Sequence, residues 1–391
     1  MARGLSFAHI CVIMGATNQL EANTMFSELQ KFMDSFLPMG VPGFDVIIYQ
    51  HGKCVWRYQN GYADYENKVP FTGKERYNIY SASKPITVSA GMQLFEKKAF
   101  KFDDALYEYM PEFKHITVRT EDGIRDAKNI IRVRDIFCMT AGLNYNKNVP
   151  SLQQCIKETN GRCPTRETMK YLAQEPLDFE PSTQWQYSLC HDVVAAFVEV
   201  VSGMKFEEYV QKNIFDPLGM THSTFMLPAD ELDTVAEQYR FDPEQKKPVN
   251  IGKAISYKLG TEYASGGAGC ISTVEDYILF LEALRKGDSI LSKETVQLLT
   301  TDQLTDENRP TYTMSETHGY GLGVRCLAPG GKCPDFGWGG AAAAFLGVDP
   351  ELDMSIFYAQ HMLGSPNQSL RNQFFPILRK TRTADIDTAT Y

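Results

Sequence analysis

The 391-residue sequence lacks three features that mark broad functional classes. Its nine cysteines form no C-x-x-C pair, which excludes the usual zinc and dithiol redox motifs. It has no basic block, and 48 acidic against 39 basic side chains give a net charge of −9, so nucleic acid is not an expected partner. No segment reaches the roughly 18 apolar residues that a membrane-spanning helix needs. What remains is an ordinary globular composition, long enough to bury a large core.

The odd number and scattered positions of the cysteines favour a reducing compartment, so we expect a cytoplasmic protein. Export is the alternative, and it would permit Cys155 to bridge Cys163, or Cys326 to bridge Cys333. An apolar stretch follows Arg3 near the N-terminus, but it lacks a convincing cleavage site and resembles a secretory signal only faintly.

Strand patterns occur near both ends of the chain, and helical patterns dominate between them. Apolar residues at helical spacing predict a helix over 24–37, followed by strands over 43–49 and 53–58 around a glycine-containing tight turn. Residues 341–348 and 354–359 again predict a strand, a turn and a strand. This order predicts a mixed α/β (α+β) fold, in which both chain termini build an antiparallel sheet with flanking helices and a mostly helical lobe is inserted.

The segment Ser81-Ala82-Ser83-Lys84 places a hydroxyl and an amine one helical turn apart. A serine hydroxyl needs an adjacent group to take its proton, and partial burial makes a lysine a better base. Pro85 is tolerated only in a first turn, so we expect the helix to begin at about Ser81 to Ser83. The unpaired N–H groups at that end favour negative charge, which suits acyl transfer.

A second Ser-x-x-Lys segment begins at Ser202 and ends at Lys205. It follows a long apolar run, and Gly203 is typical of the left-handed residue that ends a helix. We therefore expect Ser202 at the C-terminal end of a helix, without a catalytic role.

Two further segments could complete a site around Ser81. Tyr187 precedes an apolar helix and could shuttle a proton at the junction of the lobes, although taken alone its position favours a tyrosine that caps the helical core. The adjacent glycines Gly339 and Gly340 mark the close approach of a ligand or another backbone, although a simple bulge would also explain them. The N–H groups of Ser81 and Ala341 could then form an oxyanion hole.

Together, Ser81, Lys84, Tyr187 and the element at 338–340 resemble the motifs of the serine β-lactamase-related superfamily, which includes class C β-lactamases, D-alanyl-D-alanine peptidases and a set of esterases. The resemblance covers about 41–360. It implies a β-lactamase/transpeptidase-like fold, with Ser81 as the acylated nucleophile, Lys84 as its base or proton relay, and Tyr187 as the first residue of the Tyr-x-Asn element.

The sequence departs from the lactamase and peptidase pattern at two elements. Leu189 occupies the asparagine position, and Trp338-Gly339-Gly340 stands where those enzymes carry Lys-Thr-Gly. Without that lysine, recognition of a substrate carboxylate is weakened, so the resemblance points to the esterase branch and to uncharged esters. Trp338, Gly339, Gly340, Leu189 and His191 are the expected substrate contacts, although His191 could instead cap its helix or face solvent.

We therefore predict a serine hydrolase that needs no metal or cofactor. It is expected to cleave a small-molecule ester through a Ser81 acyl-enzyme, and it could pass the acyl group to another acceptor. Two alternatives stay open: a β-lactamase or D-Ala-D-Ala peptidase of the same fold, and a catalytically silent binding or sensor protein.

The predicted organisation is an N-terminal extension at 1–22 and a single β-lactamase-like catalytic domain over 23–391. Its α/β lobe is expected at about 23–75 and 220–391, and its helical lobe at about 76–219.

Overall fold

The computed structural model describes residues 26–255, 257–331 and 334–380. The extension predicted for residues 1–22, and Cys333, lie outside these ranges. The α-helices are α1 Ser27–Asp34, α2 Ser83–Glu96, α3 Val133–Cys138, α4 Pro150–Glu158, α5 Thr165–Leu172, α6 Cys190–Ser202, α7 Phe206–Val210, α8 Asp216–Leu218, α9 Val274–Lys286 and α10 Lys293–Leu299. The strands are β1 Gly43–Gln50, β2 Lys53–Asp64, β3 Val69–Pro70, β4 Tyr77–Asn78, β5 Thr117–Thr120, β6 Gly123–Asp126, β7 Gln238–Asp242, β8 Lys247–Gly252, β9 Ile271–Ser272, β10 His318–Tyr320, β11 Arg325–Leu327, β12 Phe336–Gly339, β13 Phe345–Asp349, β14 Met354–Gln360 and β15 Met362–Leu363.

The largest sheet has eight strands in the order β10-β11-β12-β13-β14-β1-β2-β3, and its neighbours are antiparallel. Strand β14, from the C-terminal part of the chain, pairs with β1 so that Phe44 lies opposite Gln360 and Gln50 opposite Met354. The prediction of a mixed fold with an antiparallel sheet built from both termini is therefore confirmed.

Both predicted hairpins form, and their turns explain where the strands end. His51 and Gly52 have φ angles of 50° and 75°, the left-handed values that a two-residue hairpin turn requires. The second hairpin joins β13 to β14, but β13 begins at Phe345 and not at residue 341 as predicted. The reason is a turn closed by the Gly340 N–H and the Ala344 carbonyl, 2.9 Å apart.

Successive side chains along the central strands point to opposite faces of the sheet. Met354, Ile356 and Tyr358 of β14 pack into one buried cluster that also receives α1, whereas Phe357 and Ala359 face the larger cluster that contains the apolar side of α9. This period of two is what a strand buried on both faces produces. The sheet is thus covered on both sides and forms a rigid support for the segments at its edge.

Helix α2 is the centre of the mostly helical part of the chain. A short 3₁₀ turn at Tyr80–Ala82 leads into it, which confirms a helix start between Ser81 and Ser83. The sequence pattern predicts a helix that buries one apolar face, but every residue from Ser83 to Leu94 is buried. It packs against α6, which ends at Ser202 with Gly203 at a φ of 71°, so the second Ser-x-x-Lys segment lies at a helix end as predicted. The bounds of the two lobes stay a prediction.

Among the described residues, no helix is both long and apolar enough to cross a bilayer. Cys155 and Cys163, one of the two alternative bridges, are both free thiols.

Candidate active site

Ser81 lies in the 3₁₀ turn that immediately precedes α2, and this turn is held from several sides. Tyr80 has a φ of 49°, a left-handed conformation that is costly for an aromatic residue. Its hydroxyl donates to Gln238 Oε1 at 2.5 Å, and its carbonyl accepts from Ser83 Oγ at 2.5 Å. Tyr277 Oη donates to the Ala82 carbonyl at 2.6 Å. These bonds fix the backbone on both sides of Ser81, so its hydroxyl is presented in one orientation.

The structure brings Ser81, Lys84 and Tyr187 into direct contact. Tyr187 Oη donates to Ser81 Oγ at 2.5 Å, and Lys84 Nζ donates to the same oxygen at 3.2 Å. Lys84 Nζ also lies 4.5 Å from the centre of the Tyr187 ring. The Lys84 side chain is fully buried, and its amine also donates to the Gly267 carbonyl at 2.7 Å. A hydroxyl, an amine and a phenol thus share one proton network.

The segment before α6 places Tyr187 by backbone contacts to loops from other parts of the chain. The Gln186 N–H donates to the Met139 carbonyl at 3.0 Å, and the Trp185 N–H donates to Thr311 Oγ1 at 2.7 Å. Because these partners come from distant segments, the sequence alone could not show where the Tyr187 phenol points.

Aromatic rings surround the Tyr187 phenol. Tyr145 stacks on Tyr187 with ring centres 5.3 Å apart, and Trp338 stacks at 6.0 Å. Tyr145 Oη lies 3.3 Å from Lys84 Nζ, and burial raises the pKa of this phenol well above its usual value. Tyr145 therefore stays protonated and serves as a neutral partner of the amine. Its place in a long loop makes Tyr145 a candidate for the pocket wall or for packing, but no sequence motif indicates its contact with the amine.

The turn after β12 approaches Ser81 closely because it carries glycines. A Cβ at Gly340 would lie 2.3 Å from the Ile79 carbonyl oxygen, and one at Gly339 would lie 2.8 Å from Arg371 Nη1. Arg371 Nη1 donates to the Gly340 carbonyl at 3.0 Å and also to the Ala344 carbonyl. Arg371, which sequence reasoning missed, therefore fixes the turn that carries Ala341.

A cavity of about 910 Å³ opens in front of Ser81. Its lining combines aromatic side chains, backbone of the 338–341 turn and several cations, and it includes no carboxylate among the described residues. The residues that matter for the site are Ser81, Tyr145, Tyr187, Trp338, Gly339, Gly340, Ala341 and Arg371. Three of the five expected substrate contacts, Trp338, Gly339 and Gly340, therefore face the cavity.

The structure does not bring Leu189 and His191 to this cavity. Leu189 is 3% exposed and packs in the main core. The His191 ring is fully buried, where its Nε2 lies 3.1 Å from the Phe137 carbonyl. Burial, and then the nearby charge of Lys84, lower the His191 pKa to about 3, so the ring is neutral. Neither residue lines the cavity, because Leu189, which precedes α6, and His191, in its first turn, are both buried in the core.

Among the described residues, no group of three or more His, Cys, Asp or Glu side chains could hold a metal ion.

Comparison with known proteins shows the family to which the chain belongs. The beta-lactamase family model matches residues 29–373. The chain is 26% identical over 367 residues to the esterase EstB of Burkholderia gladioli, covering 86% of this chain and 90% of EstB.

Two solved structures share the fold. EstCE1, described as a hydrolase with promiscuous acyltransferase activity, has a TM-score of 0.76 at 22% identity and covers 93% of this chain and 99% of its own. A mutant of simvastatin synthase from Aspergillus terreus has a TM-score of 0.74 at 20% identity and covers 95% of this chain and 99% of its own. With a matching model over most of its length, the chain belongs to the beta-lactamase family.

Proposed function

We propose that the protein is a serine hydrolase of carboxylic esters, and that it works through an acyl-enzyme on Ser81 with Lys84 and Tyr187 as the proton relay. The observation that carries this proposal is the position of Ser81 Oγ, 2.5 Å from Tyr187 Oη and 3.2 Å from Lys84 Nζ at the floor of an open cavity. A nucleophile with a base in hydrogen-bond reach is the arrangement that covalent acyl transfer needs.

In the first step, Ser81 Oγ attacks the ester carbonyl carbon while its proton passes to the Tyr187–Lys84 pair. The tetrahedral intermediate then collapses, the bond from carbon to the leaving oxygen breaks, and the same pair returns the proton to the alcohol product. In the second step, water attacks the acyl carbon and gives a proton to the pair. The bond from this carbon to Ser81 Oγ then breaks, the pair returns the proton to Oγ, and the carboxylic acid leaves. Another alcohol in place of water gives acyl transfer through the same intermediate.

The proposed oxyanion hole consists of the N–H groups of Ser81 and Ala341. Ala341 lies in the turn that Arg371 and the Ile79 carbonyl constrain, and it lines the cavity together with Ser81. Among the described residues, the Ala341 N–H donates to no protein acceptor, so it is available to a substrate oxygen. A fixed donor of this kind stabilises the charge that develops in the transition state.

The cavity wall supports esters over β-lactams and D-Ala-D-Ala peptides. Trp338 stands in the strand beside the nucleophile where a lactamase carries its lysine. Leu189 has no side-chain amide to offer the substrate, and it is buried in the core. The relatives also support this general class of reaction, since they include an esterase and a hydrolase with acyltransferase activity.

The test compares turnover of short-chain p-nitrophenyl esters, a chromogenic cephalosporin and a D-Ala-D-Ala peptide by the wild type, Ser81→Ala and Ser202→Ala. The two variants remove the serine of each Ser-x-x-Lys segment, so Ser202→Ala is the matched control. We expect ester turnover to disappear only in Ser81→Ala. Faster turnover of the cephalosporin or the peptide would favour a lactamase or peptidase, and no turnover of any substrate would favour a silent binding protein.

A further inference from the structure

Asp192 is a buried carboxylate next to the proposed proton network, yet it does not line the cavity. It lies in the first turn of α6 and is 1% exposed. A buried carboxylate is costly unless hydrogen bonds and an opposite charge compensate it. Burial raises the Asp192 pKa, and the Ser265 hydroxyl, the charge of Lys84 and the Tyr263 hydroxyl oppose that rise. Nothing in the ester chemistry uses Asp192 directly.

A continuous chain of hydrogen bonds joins Asp192 to Lys84. Ser265 Oγ donates to Asp192 Oδ1 at 2.6 Å and accepts from the Ala268 N–H at 3.0 Å. The carbonyl of the same peptide unit belongs to Gly267, and it accepts from Lys84 Nζ at 2.7 Å. We propose that Asp192 is a positioning residue, which holds the Lys84 amine against Ser81 through this chain. The role rests on the proposed function of Ser81 and Lys84.

The turn at 265–269 is packed tightly between α2 and α6, so the hydrogen-bond chain from Asp192 to Lys84 cannot easily rearrange. Thr87 Oγ1 of α2 donates to the Gly266 carbonyl at 2.7 Å. A Cβ at Gly266 would lie 2.3 Å from the His191 carbonyl oxygen of α6, and one at Gly267 would lie 2.5 Å from Asp192 Oδ2. Two consecutive glycines are therefore needed for the peptide unit to reach both Asp192 and Lys84.

Asp192 is the acidic side chain that faces the Lys84 amine. The titratable groups around the amine are Tyr145 and Tyr187 from the loops and His191 and Asp192 from α6. Asp192 is the one carboxyl group among these four, and Lys84 is one of the groups that oppose the rise in its pKa. Hydrogen bonds in series polarise one another, which extends the effect of Asp192 to the amine.

Four variants separate this role from simple packing. Asp192→Asn keeps the shape and removes the charge, and Ser265→Ala breaks the chain and keeps the charge. Tyr263→Phe removes the other hydroxyl that donates to Asp192 Oδ1, at 2.9 Å, and leaves the chain intact. Asp135→Asn is the matched control, because Asp135 is a buried carboxylate bonded to two hydroxyls elsewhere in the core.

For ester hydrolysis, we expect kcat to fall about tenfold or more in Asp192→Asn and Ser265→Ala with KM nearly unchanged, because a hydrogen bond to a charged group is lost. Asp135→Asn should stay within about threefold of the wild type, and Tyr263→Phe should lose less kcat than Ser265→Ala, because the chain to Lys84 stays intact. In Asp192→Asn the acid limb of the kcat/KM profile should also move to lower pH by about half a unit or more, because the negative charge that the proposal places beside the proton relay is lost.

An acid limb that does not move in Asp192→Asn would overturn the proposal, whatever the rate, because a purely structural role lowers activity without shifting the profile. If circular dichroism shows that Asp192→Asn does not fold, Ser265→Ala becomes the test. Wild-type kcat in Ser265→Ala would then overturn the proposed role of the hydrogen-bond chain. Labelling of wild-type Ser81 by a fluorophosphonate is measured first. Absence of labelling counts against the proposed function, whereas labelling with unaffected variants counts only against Asp192.

Discussion

The turn after β12 offers the sharpest single perturbation, Gly340→Ala. The new Cβ would lie 2.3 Å from the Ile79 carbonyl oxygen, about 1 Å closer than a comfortable contact, and neither atom belongs to a flexible side chain. The turn must therefore move by about 1 Å, and Ala341 moves with it. A displacement of that size at a catalytic group costs about a hundredfold in rate. We expect kcat for a p-nitrophenyl ester to fall by about that factor while KM changes little.

Gly347→Ala controls for crowding in the same region of the sheet. Its Cβ would lie 2.4 Å from Phe375 Cε2, a side chain that does not line the cavity. Both variants should lose about 1–3 kcal/mol of stability from overpacking, measured by chemical unfolding, but only Gly340→Ala should lose kcat. A folded Gly340→Ala protein with wild-type kcat would refute the placement of the oxyanion donor at Ala341.

Three further predictions concern residues that the site includes or leaves out. Tyr187→Phe should lower kcat about a hundredfold or more, since a positioned proton relay is lost, and near-normal steady-state rates would reduce Tyr187 to a packing residue. Leu189→Asn should leave the KM for esters unchanged and lower the melting temperature, because the residue is buried away from the cavity; a clear drop in KM would contradict this. Burial lowers the pKa of both His191 and His361 from 6.5 to about 3, so below pH 6.5 only the unfolded chain takes up these protons. Stability is therefore complete above pH 6.5 and falls toward pH 3, by about 2 kcal/mol for each ring at pH 5. His361→Phe should flatten the urea-unfolding profile against pH, and an unchanged profile would show that this ring is not responsible.

The sequence predicts those parts of the fold that depend on local pattern. The hairpin at His51-Gly52 and the helix start before Pro85 follow from turn chemistry and from the missing proline N–H, and both are present. The start of β13 was misplaced, because the alanine run after Gly340 looks like a strand and only its contact with Ile79 makes it a turn.

In the candidate site, too, local sequence pattern predicts some residues and not others. Ser81 and Lys84 are close because one helical turn joins them, so their spacing is sufficient to predict the pair. Leu189 is predicted from its position in the Tyr-x-Asn element and His191 from its spacing to Tyr187, but both side chains are buried in the core. The Asp192 chain joins α2, α6 and the 265–269 turn, so no local pattern could indicate it.

The central claim is that Ser81 carries the acyl group. Intact-mass measurement of the protein quenched in acid during turnover of a slow ester, followed by peptide mapping, tests it most directly. We predict one added acyl mass on the peptide that contains Ser81, and none in Ser81→Ala. An adduct on another residue, or the same adduct in Ser81→Ala, would contradict it.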